Sequence, residues 1–191
     1  YQYLCYEYGE AKTAQDSLML EKTFEEGMQI FPDSAFFLNN LINTYIYSNR
    51  NEKAVEMLNV AIQKNPNDAN LYNVMGRVYE TGLKDNDNAE KYFKTALEKD
   101  PNLTDALSNI GRIYYNQGVN KLSEANMIND SKKYQEELGL AKELFKKALP
   151  YYKKAHEADP GKMDNMIALR GIYYNLNMGP ELEAIEAEMN K

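Results

Sequence analysis

The sequence predicts an all-α fold, a solenoid of about five stacked helix pairs, and three observations carry that reading. Pro32, Pro66 and Pro101 stand 34 and 35 residues apart, and Pro160 repeats their context after a longer gap. Five positions before each proline is a small residue (Gly27, Ala61, Ala96, Ala155), and eight before is a bulky one (Phe24, Leu58, Phe93, Tyr152). Upstream of these segments runs a second stripe with large residues at i, i+3 and i+7, which is one face of a helix. Its copies are Tyr1, Leu4, Tyr8; Leu38, Leu41, Tyr45; Tyr72, Met75, Tyr79; Leu107, Ile110, Tyr114; and Met166, Leu169, Tyr173. Self-similarity at this period marks an array in which each helix pair buries its apolar face against the next.

The pairs fall at approximately 1–33, 34–67, 68–102, 103–161 and 162–191, a single superhelical domain over 1–191. Between the stripe residues, Cys5, Gly76 and Gly111 are small, which lets a partner helix approach closely; Ile42 and Arg170 replace them in units 2 and 5. Asp33-Ser34 and Asn67-Asp68 supply N-cap oxygens where the next helices begin. Asn49-Arg50-Asn51 and Asp85-Asn86-Asp87-Asn88 read as polar turns inside pairs. The second of these has a faint likeness to a calcium loop, but the glycine and the distal glutamate are missing, so a solvated turn is expected.

Unit 4 breaks the period. Pro101 and Pro160 are 59 residues apart, an excess of about 25, and the insert holds no Gly/Pro-rich loop. It reads as helix on both sides of a turn at Asn129-Asp130. Tyr115, Val119, Leu122, Ala125 and Met127 continue the first helix, and Tyr134, Leu138, Ala141, Leu144 and Phe145 lead into the second. Shared between two helices at 1.5 Å per residue, the insert should project roughly 18 Å. Pro150 lies inside the second helix and should remove one backbone bond and kink it. The segment 119–143 is either a spacer or a protruding contact element. The chain closes with Leu182, Ile185 and Met189 on a short helix, as a terminal cap would.

The stripe and the proline-ended helix together resemble the tetratricopeptide repeat (TPR), whose pattern is aromatic-x2-Leu-Gly-x2-Tyr followed by Ala, an aromatic, Ala and Pro. The likeness covers nearly the whole chain. It implies a concave groove lined by the first helix of each pair, with side chains one and five residues beyond its leading residue pointing inward. Those positions hold Asn39 and Asn43, Asn73 and Arg77, Ser108 and Arg112, and Ile167 and Gly171. One turn further on lie Ile46 and Tyr47, Glu80, Tyr115 and Asn116, and Tyr174 and Asn175; the helix starts add Phe36, Asn70, Asp105 and Asp164. Chaperone-binding members of the family hold a C-terminal carboxylate with lysines at groove positions that here hold Asn39, Asn73 and Ser108. The full carboxylate clamp is therefore not expected, and Arg77 and Arg112 would supply a weaker version. The segments Ile113–Val119, Ala141–Tyr151 and Lys154–Pro160 are also similar to the final units of TPR proteins of Gram-negative anaerobes, many exported to the envelope. That likeness implies a periplasmic or envelope location, with the cytoplasm as the other option.

Composition narrows the function classes. The chain of 191 residues carries 22 Lys and Arg against 29 Asp and Glu, a net charge of −7, which argues against a nucleic-acid footprint and its basic stripe. No apolar run approaches the roughly 18 residues of a transmembrane helix. Tyr1 already lies inside an amphipathic pattern, with no initiator Met or signal peptide, so a mature or trimmed product is expected. The single His156 stands near a helix end, and the single Cys5 fills a packing slot. No nucleophile–base pair, phosphate-cradling loop or His/Cys metal cluster can be assembled, so no catalytic residue, cofactor or metal is expected. The reading is a non-enzymatic scaffold for a protein or peptide partner, held by Phe36, Asn39, Asn43, Tyr47, Asn70, Asn73, Arg77, Ser108, Arg112, Tyr115 and Asn116. Asn can bond an extended backbone through donor and acceptor, Arg forks suit carboxylates, and Tyr offers rigid contact area. Two other readings stay open: self-association through the hairpin or the last helix, and a regulatory C-terminal part of a larger enzyme.

Overall fold

The computed structural model describes residues 14–190. The first stripe, with Tyr1, Leu4, Cys5 and Tyr8, lies outside the described residues. Among those described, the chain is all-helical: α1 (Ala14–Ile30), α2 (Ala35–Tyr47), α3 (Asn51–Lys64), α4 (Ala69–Arg77) continued by a π-helical turn (Val78–Gly82), α5 (Asn86–Lys99), α6 (Thr104–Ala125), α7 (Ser131–Ala158), α8 (Met163–Leu176) and α9 (Gly179–Met189). The first helices of the pairs are α2, α4, α6 and α8; α1, α3, α5, α7 and α9 are the second helices.

Each of the four repeat prolines, Pro32, Pro66, Pro101 and Pro160, sits in the same turn for the same reason. Proline pushes the residue before it out of the helical region, and Asn65, Asp100 and Asp159 accordingly end their helices at φ of −129°, −134° and −141°. The turn then closes with Pro at its second position. The N–H groups of Ser34, Asp68, Leu103 and Lys162 donate to the carbonyls of Phe31, Asn65, Asp100 and Asp159 at 3.1, 3.1, 3.1 and 3.3 Å. Asp68 then caps α4 by accepting from the Asn70 N–H (2.9 Å). Ser34 stands at the N-cap of α2, yet its side chain makes no capping bond.

Inside pairs 2, 3 and 5, the turn is made by one left-handed residue: Asn49, Lys84 and Asn177 all have φ of 57°. At Asn49 and Asn177 the next N–H reaches back five residues, Arg50 to Tyr45 (2.8 Å) and Met178 to Tyr173 (2.9 Å), the usual closure of a helix C-terminus. At Lys84 the bond reaches back six, from Asp85 to Tyr79 (2.9 Å). This is where the 35-residue spacing comes from. Tyr45 and Tyr79 are 34 apart but Asn49 and Lys84 are 35 apart, so the extra residue is absorbed in the π-turn between them. Asp85 uses both carboxylate oxygens on Asn88, its N–H (3.0 Å) and its side-chain amide (2.7 Å). These bonds hold its pKa below the usual carboxylate value, so the Asp85–Asn88 run is a helix cap.

Within each pair, the bulky residue of the second helix packs onto the small slot of the first. Phe93 and Tyr152 are buried against Gly76 and Gly111, where an added Cβ would lie 2.5 and 2.8 Å from their rings. Unit 2 solves the same volume the other way round, with Ile42 in the glycine slot and the smaller Leu58 opposite, both buried. In unit 5 the corresponding slots hold Arg170 and Glu186, both exposed, as suits the last pair of an array. Tyr79 and Tyr114, which end their stripes, stack on Tyr92 and Tyr151 of the second helices at 5.2 and 6.1 Å.

The insert forms a long hairpin: α6 and α7 have 22 and 28 residues against the 13 and 14 of α2 and α3. Small residues zip its seam. Ala125, Ala141 and Ala148 are fully buried, and Gly118 meets the Phe145 ring. Met127 does not continue the first helix as the sequence suggested. That helix ends at Ala125, and Met127 projects from the tip, 84% exposed, where no neighbouring unit covers it. Helix α7 runs through the exposed Pro150, with Asp130 capping its start (2.8 Å to the Lys133 N–H). No described helix is long and apolar enough to cross a membrane.

One ion pair ties α1 to the α2–α3 turn: Arg50 donates to both oxygens of Glu21, at 2.6 Å each. The hydrogen bond from Arg50, the largest influence, holds the Glu21 pKa below its ordinary value of 4.5. A carboxylate so depressed stabilises the fold above that value, and its contribution is lost as pH falls through the lowered pKa. Glu21→Gln should therefore cost about 1 kcal/mol at pH 7. The difference from wild type should shrink as pH falls below about 4.5 and vanish once Glu21 is protonated in the folded state, read by urea unfolding across pH.

Candidate concave binding face

The concave face is built by a register rule between successive first helices. In units 3 and 4 the residue one beyond the leading position, or eight beyond it, reaches the next first helix. Asn73 Oδ1 accepts from Asn109 Nδ2 (3.0 Å), and Ser108 Oγ donates to Asn165 Oδ1 (2.8 Å). Glu80 takes Arg112 as an ion pair. Tyr115 lays its hydroxyl over Gly171, where a Cβ would come within 2.5 Å of that oxygen. Arg77 reaches backward instead, donating to Asn43 Oδ1 (3.1 Å). Much of the expected polar ladder thus bonds helix to helix.

The two arginines differ in consequence. Arg112 donates to Glu80 and to Asn109 Oδ1 (3.0 Å), so its charge is already answered. Arg77 has no carboxylate within ion-pair distance among the described residues, although Glu80 lies one turn away on its own helix. Burial raises the Glu80 pKa, and the opposing pull of Arg112 does not cancel it. The sign is opposite to that of Glu21: the folded state holds the Glu80 proton more tightly, so this site favours folding at low pH and loses that contribution as pH rises through the raised pKa.

Four of the expected groove residues converge on one cavity of about 690 Å³. Asn39, Asn70, Asn73 and Arg77 line it, together with Leu38, Leu71 and Val74 of the first helices and Met57, Val60, Ala61 and Lys64 of α3. Asn73 is buried; Asn39 and Arg77 are half-buried and Asn70 exposed. The apolar wall from α3 was not anticipated, because the groove was expected from first helices alone. Its signal was present, since Met57, Val60 and Lys64 follow a helical spacing beside the core stripe Ala54, Leu58, Ala61. The other expected residues lie elsewhere. Asn43 faces Arg77, Phe36 is exposed with its ring edge-on to Phe37 (5.2 Å), and Tyr47, 90% exposed, borders a separate 420 Å³ hollow with Leu18 and Thr44. Ser108, Arg112, Tyr115 and Asn116 continue the face along α6, where Asn116 is exposed. Asn165 was also missed. It is fully buried in the slot that Phe37, Leu71 and Ala106 fill in other units, and its Nδ2 has no partner among the described residues.

Residues 69–103 match the family model described as tetratricopeptide repeat. That stretch is unit 3, from the start of α4 to the turn after α5. No curated protein matches the chain in sequence. Among solved structures, MamA has the same fold at 15% identity and a TM-score of 0.61, over 92% of this chain and 87% of its own. The first TPR domain of Spaghetti (RPAP3), solved bound to the HSP90 peptide SRMEEVD, follows at 18% identity and a TM-score of 0.53, over 75% and 93%. At these identities the likeness is one of architecture: the chain is a TPR-like α-solenoid.

Proposed function

We propose that the chain is a non-enzymatic interaction scaffold that holds a protein or peptide partner on its concave face, centred between units 2 and 3. The observation that carries this reading is the 690 Å³ cavity, where Asn39, Asn70, Asn73 and Arg77 stand over an apolar wall. Apolar concavities with a few fixed polar groups are the usual form of a binding site. That a TPR domain of similar architecture has been solved with a peptide bound supports the choice of partner class. Arg77→Ala should weaken capture of partners in pull-downs from native lysate by roughly tenfold, because the lost group is a half-buried charge lining the cavity. Arg112→Ala should change capture less and stability more, since Arg112 answers Glu80. An unchanged partner set with Arg77→Ala would remove the cavity from the function.

A second reading, association of two copies, is favoured by one feature. Ile167 and Tyr174 occupy the junction positions that in units 3 and 4 reach the next first helix, and with Met163 they form an exposed stripe on α8, 47%, 71% and 46% accessible. Light scattering at high concentration should then show a dimer that Ile167→Glu abolishes. A monomer throughout discards this reading.

A further inference from the structure

We propose that the cavity is an anchor subsite for an internal, extended segment in which a large aliphatic residue stands beside an acidic one. The aliphatic side chain enters against Val60, its main-chain carbonyl accepts from Asn73, and the neighbouring carboxylate pairs with Arg77. This rests on the concave-face reading above and names the chemistry that the face selects.

The apolar half of the argument is local. The small slot before the proline is fully buried at Ala96 and Ala155, but at Ala61 it is only half covered and opens into the cavity. Val60 beside it is 53% exposed on the same wall. The array closes this slot in units 3 and 4 and leaves it open here, exposing apolar surface whose burial by an aliphatic group is favourable at about 25 cal/mol per Å².

The polar half follows from a chain of forced orientations. A guanidinium can only donate, so the atom of Asn109 that faces Arg112 must be its oxygen (3.0 Å). The amide nitrogen of Asn109 must therefore face Asn73, and the atom of Asn73 that receives it must be Oδ1 (3.0 Å). The Asn73 NH2 is left as the end without a partner among the described residues. The residue lines the cavity at 6% exposure, so its free end is a fixed donor rather than a swivelling one. Arg77 adds a positive charge that has no direct ion pair among the described residues. Of the aspartates lining the cavity, Asp68 caps α4 and Asp105 pairs with Lys162 (2.9 Å), while Asp33 shares the lining with Lys64. One fixed neutral donor and one cation free of a direct ion pair among the described residues, beside apolar surface, fit a carbonyl, a carboxylate and an aliphatic side chain in succession.

Fluorescence anisotropy tests this with labelled octapeptides, N-acetylated and C-amidated, built as Gly-Ser-Asp-Leu-Asp-Leu-Ser-Gly. Saturable binding is expected, weakened about tenfold or more when Leu is replaced by Ala or Asp by Asn. Val60→Lys, an exposed change that leaves the core intact, and Arg77→Gln should each weaken it similarly, whereas Lys146→Gln, an exposed change on α7 away from the cavity, should not. If the Ala or Asn peptide binds as well as the parent, or if a free C-terminal carboxylate is required, the proposal is overturned. If Arg77→Ala loses partners in pull-downs but no octapeptide binds, this subsite chemistry fails while the concave-face reading stands. If neither responds, both fall.

Discussion

Replacing Phe93 with Ala should cost about 3–5 kcal/mol, the upper range for removing a buried aromatic side chain. Phe93 is fully buried and clusters with Ala89, Ile110 and Ile113, so it belongs to both unit 3 and the junction with unit 4. The site cannot collapse onto Gly76, which has no side chain to fill the void. In a linear array, stability is a sum of unit terms and nearest-neighbour terms. Loss at Phe93 weakens one of each, and it does so at the middle of the described chain. The expected signature in urea is a lower midpoint accompanied by two resolved transitions, one for each side of the break. A single transition shifted by under about 1 kcal/mol would mean that the aromatic slot is not what couples the units.

The second large effect is the mirror image. Gly76→Val should destabilise by about 3 kcal/mol even though valine is the better helix former, because its Cβ would meet the Phe93 ring at 2.5 Å. Gly139 serves as the control. It lies on the exposed face of α7 with nothing within 4 Å of an added Cβ, so Gly139→Ala should stabilise by about 0.5–1 kcal/mol. The repeat also supplies its own compensation. Unit 2 pairs Ile42 with Leu58 where unit 3 pairs Gly76 with Phe93, so Gly76→Ile combined with Phe93→Leu should recover most of what Gly76→Ile loses. A double-mutant cycle in urea measures that coupling. Additive penalties would show that the two slots do not share a volume.

The fold was legible in the sequence because it rests on repeated local rules. The prolines mark turns whose cause is steric and acts within three residues, and the stripes at i, i+3 and i+7 mark buried faces. Even the one-residue irregularity at 35 was visible as a number. Its meaning was not, because absorbing an extra residue in a π-turn is a choice among backbone solutions that only packing around Tyr79 and Val78 makes. The hairpin of unit 4 was legible in its ends and in its helical character. Met127 was misplaced because an apolar residue at the tip of a projection has no partner to bury it, and hydrophobic spacing alone does not reveal where partners stop.

The candidate site was legible in part. Positions transferred by the repeat place Asn39, Asn70, Asn73 and Arg77 around one cavity, since a helical register carries from unit to unit. The α3 wall, the pairing of Arg112 with Glu80 and the donor end of Asn73 depend on which side chains meet across helices, at separations of about 30 residues or more. What the amino-acid sequence alone determined is the period, the turns and the order of helices, because those follow from sterics and amphipathicity along the chain. What only the tertiary structure decided is which polar groups are consumed between helices and which are left to face a partner, because hydrogen-bond capacity is shared out among neighbours in space.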